Sequence, residues 1–125
     1  LGALDERIKV VAPVIQYTRY QNLIASGGLN RHSVYYYVPG VLKAGLDMEA
    51  LIALSAPRPQ IVLVGGGDPL SPADGIAVLN QYARSVYRLY GAEDHFAPHV
   101  AAGVDHHYTT EMFAALLDFL AQHLS

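Results

Sequence analysis

The chain has 125 residues, of which 52% are hydrophobic and only 15% charged, so it has the means to build a packed core and is not a disordered segment. Its net charge of −3 gives no attraction to nucleic acid or to an anionic membrane surface, and no apolar run is long enough to cross a bilayer. Cysteine is absent, which excludes disulfides and thiolate metal sites.

Residues 1–7 read as the tail of a preceding helix and its connection, with Asp5-Glu6-Arg7 as a solvated turn. No signal peptide is visible, and the chain starts at Leu1 without an initiating methionine, inside what reads as the end of a helix, so its natural start is expected upstream. Residues 8–13 (I-K-V-V-A-P) are apolar and β-branched in a continuous run, the pattern of a buried parallel strand. Residues 16–46 carry Ser26-Gly27-Gly28, Tyr35-Tyr36-Tyr37 and Pro39-Gly40, and are expected to form loops with one or two short helices. The three tyrosines either line a substrate pocket or pack over the sheet edge. Residues 47–54 predict a short helix with Asp47 as N-cap, ended by Ala56-Pro57-Arg58-Pro59.

Residues 60–64 form the second strand, I-V-L-V at its centre, stopped by Gly65-Gly66-Gly67. A helix follows, with Ser71 as N-cap, Pro72 in the first turn and Asp74 at a capping-box position. Ile76, Leu79, Ala83, Val86 and Tyr90 recur at helical spacing, and Gly91 is a fitting stop. Residues 96–102 are a weaker strand, placed at an edge by Pro98. A histidine-rich loop, 103–108, leads into a last helix over 110–124, whose stripe Met112, Phe113, Leu116, Leu117 and Leu120 is expected to be core. Strands alternating with helices predict an α/β domain with a parallel sheet and right-handed crossovers, one domain over 1–125.

Ligands of open parallel sheets bind beyond the carboxyl ends of the strands. Two segments lie there: Gly67-Asp68-Pro69 and Gly103-Val104-Asp105-His106-His107-Tyr108. An acid after one strand and a histidine after the next is the second half of the order Ser…Asp/Glu…His. A serine hydroxyl needs a histidine to take its proton, and a carboxylate to hold that imidazole in one tautomer. His95, His99, Asp105, His106 and His107 also invite a metal reading, but their spacing matches no helical two-histidine motif and Pro98 interrupts them, so no metal is predicted.

The segments L-D-E-R-I-K-V-V-A-P-V (4–14), V-Y-Y-Y-V-P-G-V-L-K-A-G (34–45), A-P-R-P-Q-I-V-L-V-G-G-G-D-P-L-S-P (56–72) and H-H-Y-T-T-E-M-F (106–113) together resemble the acetyl xylan esterase and dienelactone-hydrolase-like branch of the α/β-hydrolases. The resemblance implies the C-terminal half of an α/β-hydrolase fold, three layers with parallel strands flanked by helices. It puts the catalytic acid on Asp68 and the catalytic histidine on His106, with His107 one register away. Asp105 and Thr110 depart from the usual pattern without touching the triad. The nucleophile's G-x-S-x-G elbow is expected upstream of Leu1, because Ser26, Ser33, Ser55, Ser71, Ser85 and Ser125 all lack its flanking glycines. The implied activity is a serine carboxylic-ester hydrolase acting on a small-molecule or carbohydrate ester without a cofactor, with no nucleic-acid or membrane partner. The chain alone would be inactive for want of the nucleophile, and would aggregate or be molten, because a half-sheet leaves a bare edge. The contrasting reading is a non-catalytic α/β module.

Overall fold

The structure, a computed structural model, describes residues 1–124; Ser125 lies outside the described residues. Two parallel strands form the centre, β1 (Gln60–Gly65) and β2 (Phe96–Ala101), paired from Gln60 opposite Phe96 to Gly65 opposite Ala101. The helices are α1 (Tyr20–Ala25), α2 (Met48–Ala53), α3 (Ala73–Leu89) and α4 (Thr110–His123), with single 3-10 turns at Leu29–Arg31, Val34–Tyr36 and Glu93–His95.

Residues 10–15 run parallel to β1 on the side away from β2, joined by two isolated bridges, Val11 to Gln60 and Val14 to Leu63. The Val11 and Ile15 N–H groups donate to Pro59 and Leu63 carbonyls, and Ile61 and Leu63 N–H groups donate back to Val11 and Pro13. Pro13 has no N–H, so the rung that would reach the Ile61 carbonyl is lost and the ladder breaks in its middle. Among the described residues, the segment expected to be a buried strand is therefore an interrupted ladder beside β1, with its residues partly covered and Lys9 and Ala12 exposed.

Side chains of β1 alternate between two cores. Val62 and Val64 pack with Ile52 of α2 and with Ile76, Leu79, Ala83 and Tyr87 of α3. Ile61 and Leu63 face the other way, against Met112 and Phe119 of α4. Helices thus cover both faces, in three layers.

Four expectations need correction. Pro72, not Ser71, stands at the N-cap of α3 and offers no capping side chain. Ser71 is buried instead, its hydroxyl 2.9 Å from that of Thr18. Asp74 binds the Gly75 N–H and the Asn22 amide rather than closing a capping box. On α3 Tyr87, not Tyr90, is the buried aromatic, because it lies three turns beyond Ile76 on the sheet-facing stripe, whereas Tyr90 follows the last turn. On α4 only Met112 and Phe119 are fully covered; Phe113 and Leu117 are about half-exposed, at 49% and 50%. They sit one position round from the Met112 face, away from the sheet.

Asp47 does cap α2, through the Met48 N–H at 2.7 Å, and it also caps α1 from a distance through the N–H groups of Tyr20 and Gln21, each at 2.9 Å. Arg58, in the Ala-Pro-Arg-Pro segment, donates to the carbonyls of Gly2, Asp5 and Ile8 and fastens the start of the chain. Among the described residues, no helix is long and apolar enough to cross a membrane.

Candidate active site

Asp68 follows β1 by three residues, and His106 follows β2 by five. The glycines after β1 make their meeting possible. The Gly66 N–H donates to the Ala101 carbonyl and the Gly67 N–H to the Val104 carbonyl, both at 2.8 Å, so the loop after β2 is laced directly onto the loop after β1. At Gly65 a Cβ would stand 2.1 Å from the Asp105 carbonyl oxygen and 2.4 Å from that of Val104. Only a residue without a side chain lets the 104–105 backbone cross there.

The consequence is a contact of 2.8 Å between His106 Nδ1 and Asp68 Oδ2. Asp68 is 3% exposed. Its other oxygen accepts the Leu70 N–H at 2.8 Å, which closes an Asx turn, and the Ser71 N–H donates to the Asp68 carbonyl in the backbone turn over the same residues. A carboxylate can only accept, so the neutral imidazole carries its proton on Nδ1 and leaves Nε2 as the basic nitrogen. The His106 side chain is 53% exposed and opens on a cleft of about 180 Å³ shared with Val14, Ile15, His32, Tyr36 and Leu70. A buried anion behind the ring and free Nε2 in front is the arrangement that lets a histidine take a proton from a nucleophile and stabilise its own positive charge.

His107, the register rival, does not reach Asp68. Its Nδ1 lies 2.9 Å from Asp105 Oδ1, with both side chains well exposed. His95 bonds the Pro57 carbonyl. Among the described residues, no three His, Asp or Glu side chains come together in a group that could hold a metal. Ser33 lines the cleft, yet among the described residues no serine hydroxyl is hydrogen-bonded to His106. Of the three tyrosines, Tyr36 lines the cleft, Tyr37 packs edge-on to Tyr20, and Tyr35 stands 93% exposed. A larger, mainly apolar cleft of about 580 Å³ shares Gln16, His32 and Tyr36 with the first but does not include His106.

Several residues of this neighbourhood carry no sequence signal. Thr18 and His32 are isolated polar positions in an irregular segment, yet both reach the Leu70 carbonyl, at 2.7 and 3.0 Å. Ile15 holds φ at +58°, rare for a β-branched residue, where the edge segment ends at the cleft.

Acid and histidine at the ends of adjacent parallel strands, followed by a closing helix, decide the fold together with the likeness to solved structures. The chain matches a structure titled methylesterase BT1017 with a TM-score of 0.70 over 98% of its own length and 28% of that chain, at 24% identity. It matches the glucuronoyl esterase from Solibacter usitatus with a TM-score of 0.74 over 99% of its length and 38% of that chain, at 20% identity. The chain has the fold of the C-terminal part of an α/β-hydrolase. In sequence it is 39% identical over 95 residues to the Bacillus subtilis (strain 168) protein named "Putative hydrolase YtaP", covering 74% of this chain and 31% of that relative. No family model matches the chain. The chain spans about a third of the length of the proteins it resembles.

Proposed function

We propose that this chain is the acid-and-histidine part of a serine carboxylic-ester hydrolase, with Asp68 and His106 in the triad and the serine supplied by residues preceding Leu1. The observation that carries the reading is the 2.8 Å pair of a buried Asp68 and a half-exposed His106, at the carboxyl ends of neighbouring parallel strands. In the reaction the serine Oγ attacks the ester carbonyl while His106 Nε2 takes its proton. His106 then returns that proton to the departing alcohol, and water, activated by the same nitrogen, releases the acid. Asp68 keeps the imidazole in the Nδ1–H tautomer and balances its transient positive charge. No cofactor enters these steps.

The relatives' names, a hydrolase, a methylesterase and glucuronoyl esterases, support ester cleavage, and the last of them supports an ester borne on a carbohydrate. The sequence resemblance to acetyl xylan esterases supports a short acyl group such as acetyl. The test uses the full-length protein, a fluorophosphonate probe and 4-nitrophenyl acetate. Labelling and turnover are expected, with His106→Ala losing roughly 10⁶ in kcat and Asp68→Asn roughly 10⁴. A full-length protein that neither labels nor turns over the ester would be the non-catalytic module instead, and full activity in His106→Ala would remove that residue from the mechanism.

A further inference from the structure

The peptide carbonyl of Leu70 is held from two sides. The Thr18 hydroxyl donates to it at 2.7 Å, and the ring Nε2–H of His32 at 3.0 Å. Thr18 spends its proton on Leu70, so in its 2.9 Å contact with Ser71 the Ser71 hydroxyl is the donor. Thr18 and Ser71 are buried, so this pin is internal. His32 comes from the opposite side. It follows the Leu29–Arg31 turn, packs edge-on against Tyr36 with ring centres 6.0 Å apart, and lines the same cleft as His106.

Leu70 matters because its N–H is the donor that fixes Asp68 Oδ1, leaving Oδ2 for His106. Between His32 and His106 there is thus a continuous path: imidazole to Leu70 carbonyl, Leu70 N–H to carboxylate, carboxylate to imidazole. We infer that His32 is a positioning residue, which ties the irregular segment forming the cleft wall to the turn that aims Asp68 at His106. The inference rests on the esterase reading for its kinetic consequence, but not for its geometric one. Losing the His32 donor leaves the Leu70 carbonyl held from the core side alone, and the turn is free to rotate Asp68 Oδ2 away from His106. Reaction rates respond steeply to such displacements, because the base must lie within hydrogen-bond reach of the proton it takes.

The experiment compares His32→Leu with His32→Gln in the full-length protein. Glutamine replaces the ring N–H by an amide N–H of comparable reach; leucine fills the space without a donor. With 4-nitrophenyl acetate, His32→Leu should lower kcat by about tenfold to a hundredfold while KM stays near wild type, and His32→Gln should recover most of the loss. A second readout needs no turnover: the low-field proton NMR resonance of His106 Nδ1–H should weaken or move upfield in His32→Leu and return in His32→Gln. If His32→Leu does not fold, His32→Asn, whose donor falls short of Leu70, replaces it. An unchanged kcat with an unchanged resonance overturns the inference, as does a change confined to KM, which would make His32 a cleft wall only. Should the wild type hydrolyse no ester, the esterase reading fails, and the resonance alone decides whether His32 positions the pair.

Discussion

A methyl group on Gly65 would enter the space of two backbone carbonyls, at 2.1 and 2.4 Å, and neither is the tip of a flexible side chain that can swing aside. Gly65→Ala must therefore displace the 104–105 backbone by an ångström or more. That backbone immediately precedes His106, so the displacement is transmitted to the 2.8 Å contact with Asp68. We expect Gly65→Ala in the full-length protein to retain its circular dichroism, since the change lies at a strand end, and to lose at least about a hundredfold in kcat/KM for 4-nitrophenyl acetate. Activity within threefold of wild type would show that the loop has slack that the packing at Gly65 does not suggest. The sequence marked the three glycines as a sharp strand end followed by an acid. It could not say which glycine was crossed by another segment, because that depends on a loop forty residues later. The same holds for His106 against His107: which of them contacts Asp68 depends on where Gly66 and Gly67 anchor the loop, not on the local pattern.

Polar contacts join α1 to α2: Arg19, at the α1 N-cap, pairs with Glu49 of α2 at 3.1 Å, and the Asp47 carboxylate serves both helix starts. Asp47 is 1% exposed and accepts three backbone N–H groups, from Tyr20, Gln21 and Met48. A peptide N–H left unpaired in the interior costs about 1–3 kcal/mol, so removing the acceptor of three, two of them buried only in part, should cost about 2–4 kcal/mol. Asp47→Ala should accordingly lower the thermal midpoint by several degrees, measured by calorimetry, and Asp47→Asn should fall between it and wild type because one acceptor oxygen survives. A midpoint unchanged in Asp47→Ala would mean that water replaces the carboxylate at both helix ends. The cap on α2 was legible, as Asp before an apolar helical run, while its service to α1 was not, since Arg19 at the α1 N-cap gives no capping bond. Elements with one dominant local cause are legible in the sequence: β1 from its apolar run and glycine stop, α3 from its spacing, α4 from its apolar stripe. Local pattern and structure part where a neighbour decides. Pro13 interrupts an otherwise good strand, Tyr87 meets the Arg58 carbonyl at 2.7 Å where Tyr90 meets nothing comparable, and α4 has more apolar residues than one sheet face can cover.

The two cores on either side of β1 differ in kind. The α4 side is filled by aliphatic, methionine and phenylalanine side chains, whereas the α3 side buries two phenols, Tyr17 and Tyr87. Burial holds both hydroxyls protonated far above the ordinary tyrosine value of 10.0, the nearby Arg84 and Arg58 charges offsetting only part of the effect. The sign of the consequence follows from proton counting. Below pH 10 both states keep these protons and the groups cost nothing. Above it the unfolded chain releases them while the folded protein retains them, so the unfolded state binds fewer protons and stability falls as pH rises. Unfolding by urea should therefore become steadily easier above pH 10. In a spectrophotometric titration, the exposed members of the nine tyrosines should ionise without loss of structure, and the last phenolates should appear only together with the loss of helical dichroism. Tyr87→Phe separates this from general alkaline repulsion. It removes one of the two phenols of the α3 core along with its bond to the Arg58 carbonyl, so it should be less stable than wild type near neutrality yet lose stability less steeply above pH 10. A slope as steep as wild type would place the alkaline sensitivity elsewhere than in the α3 core.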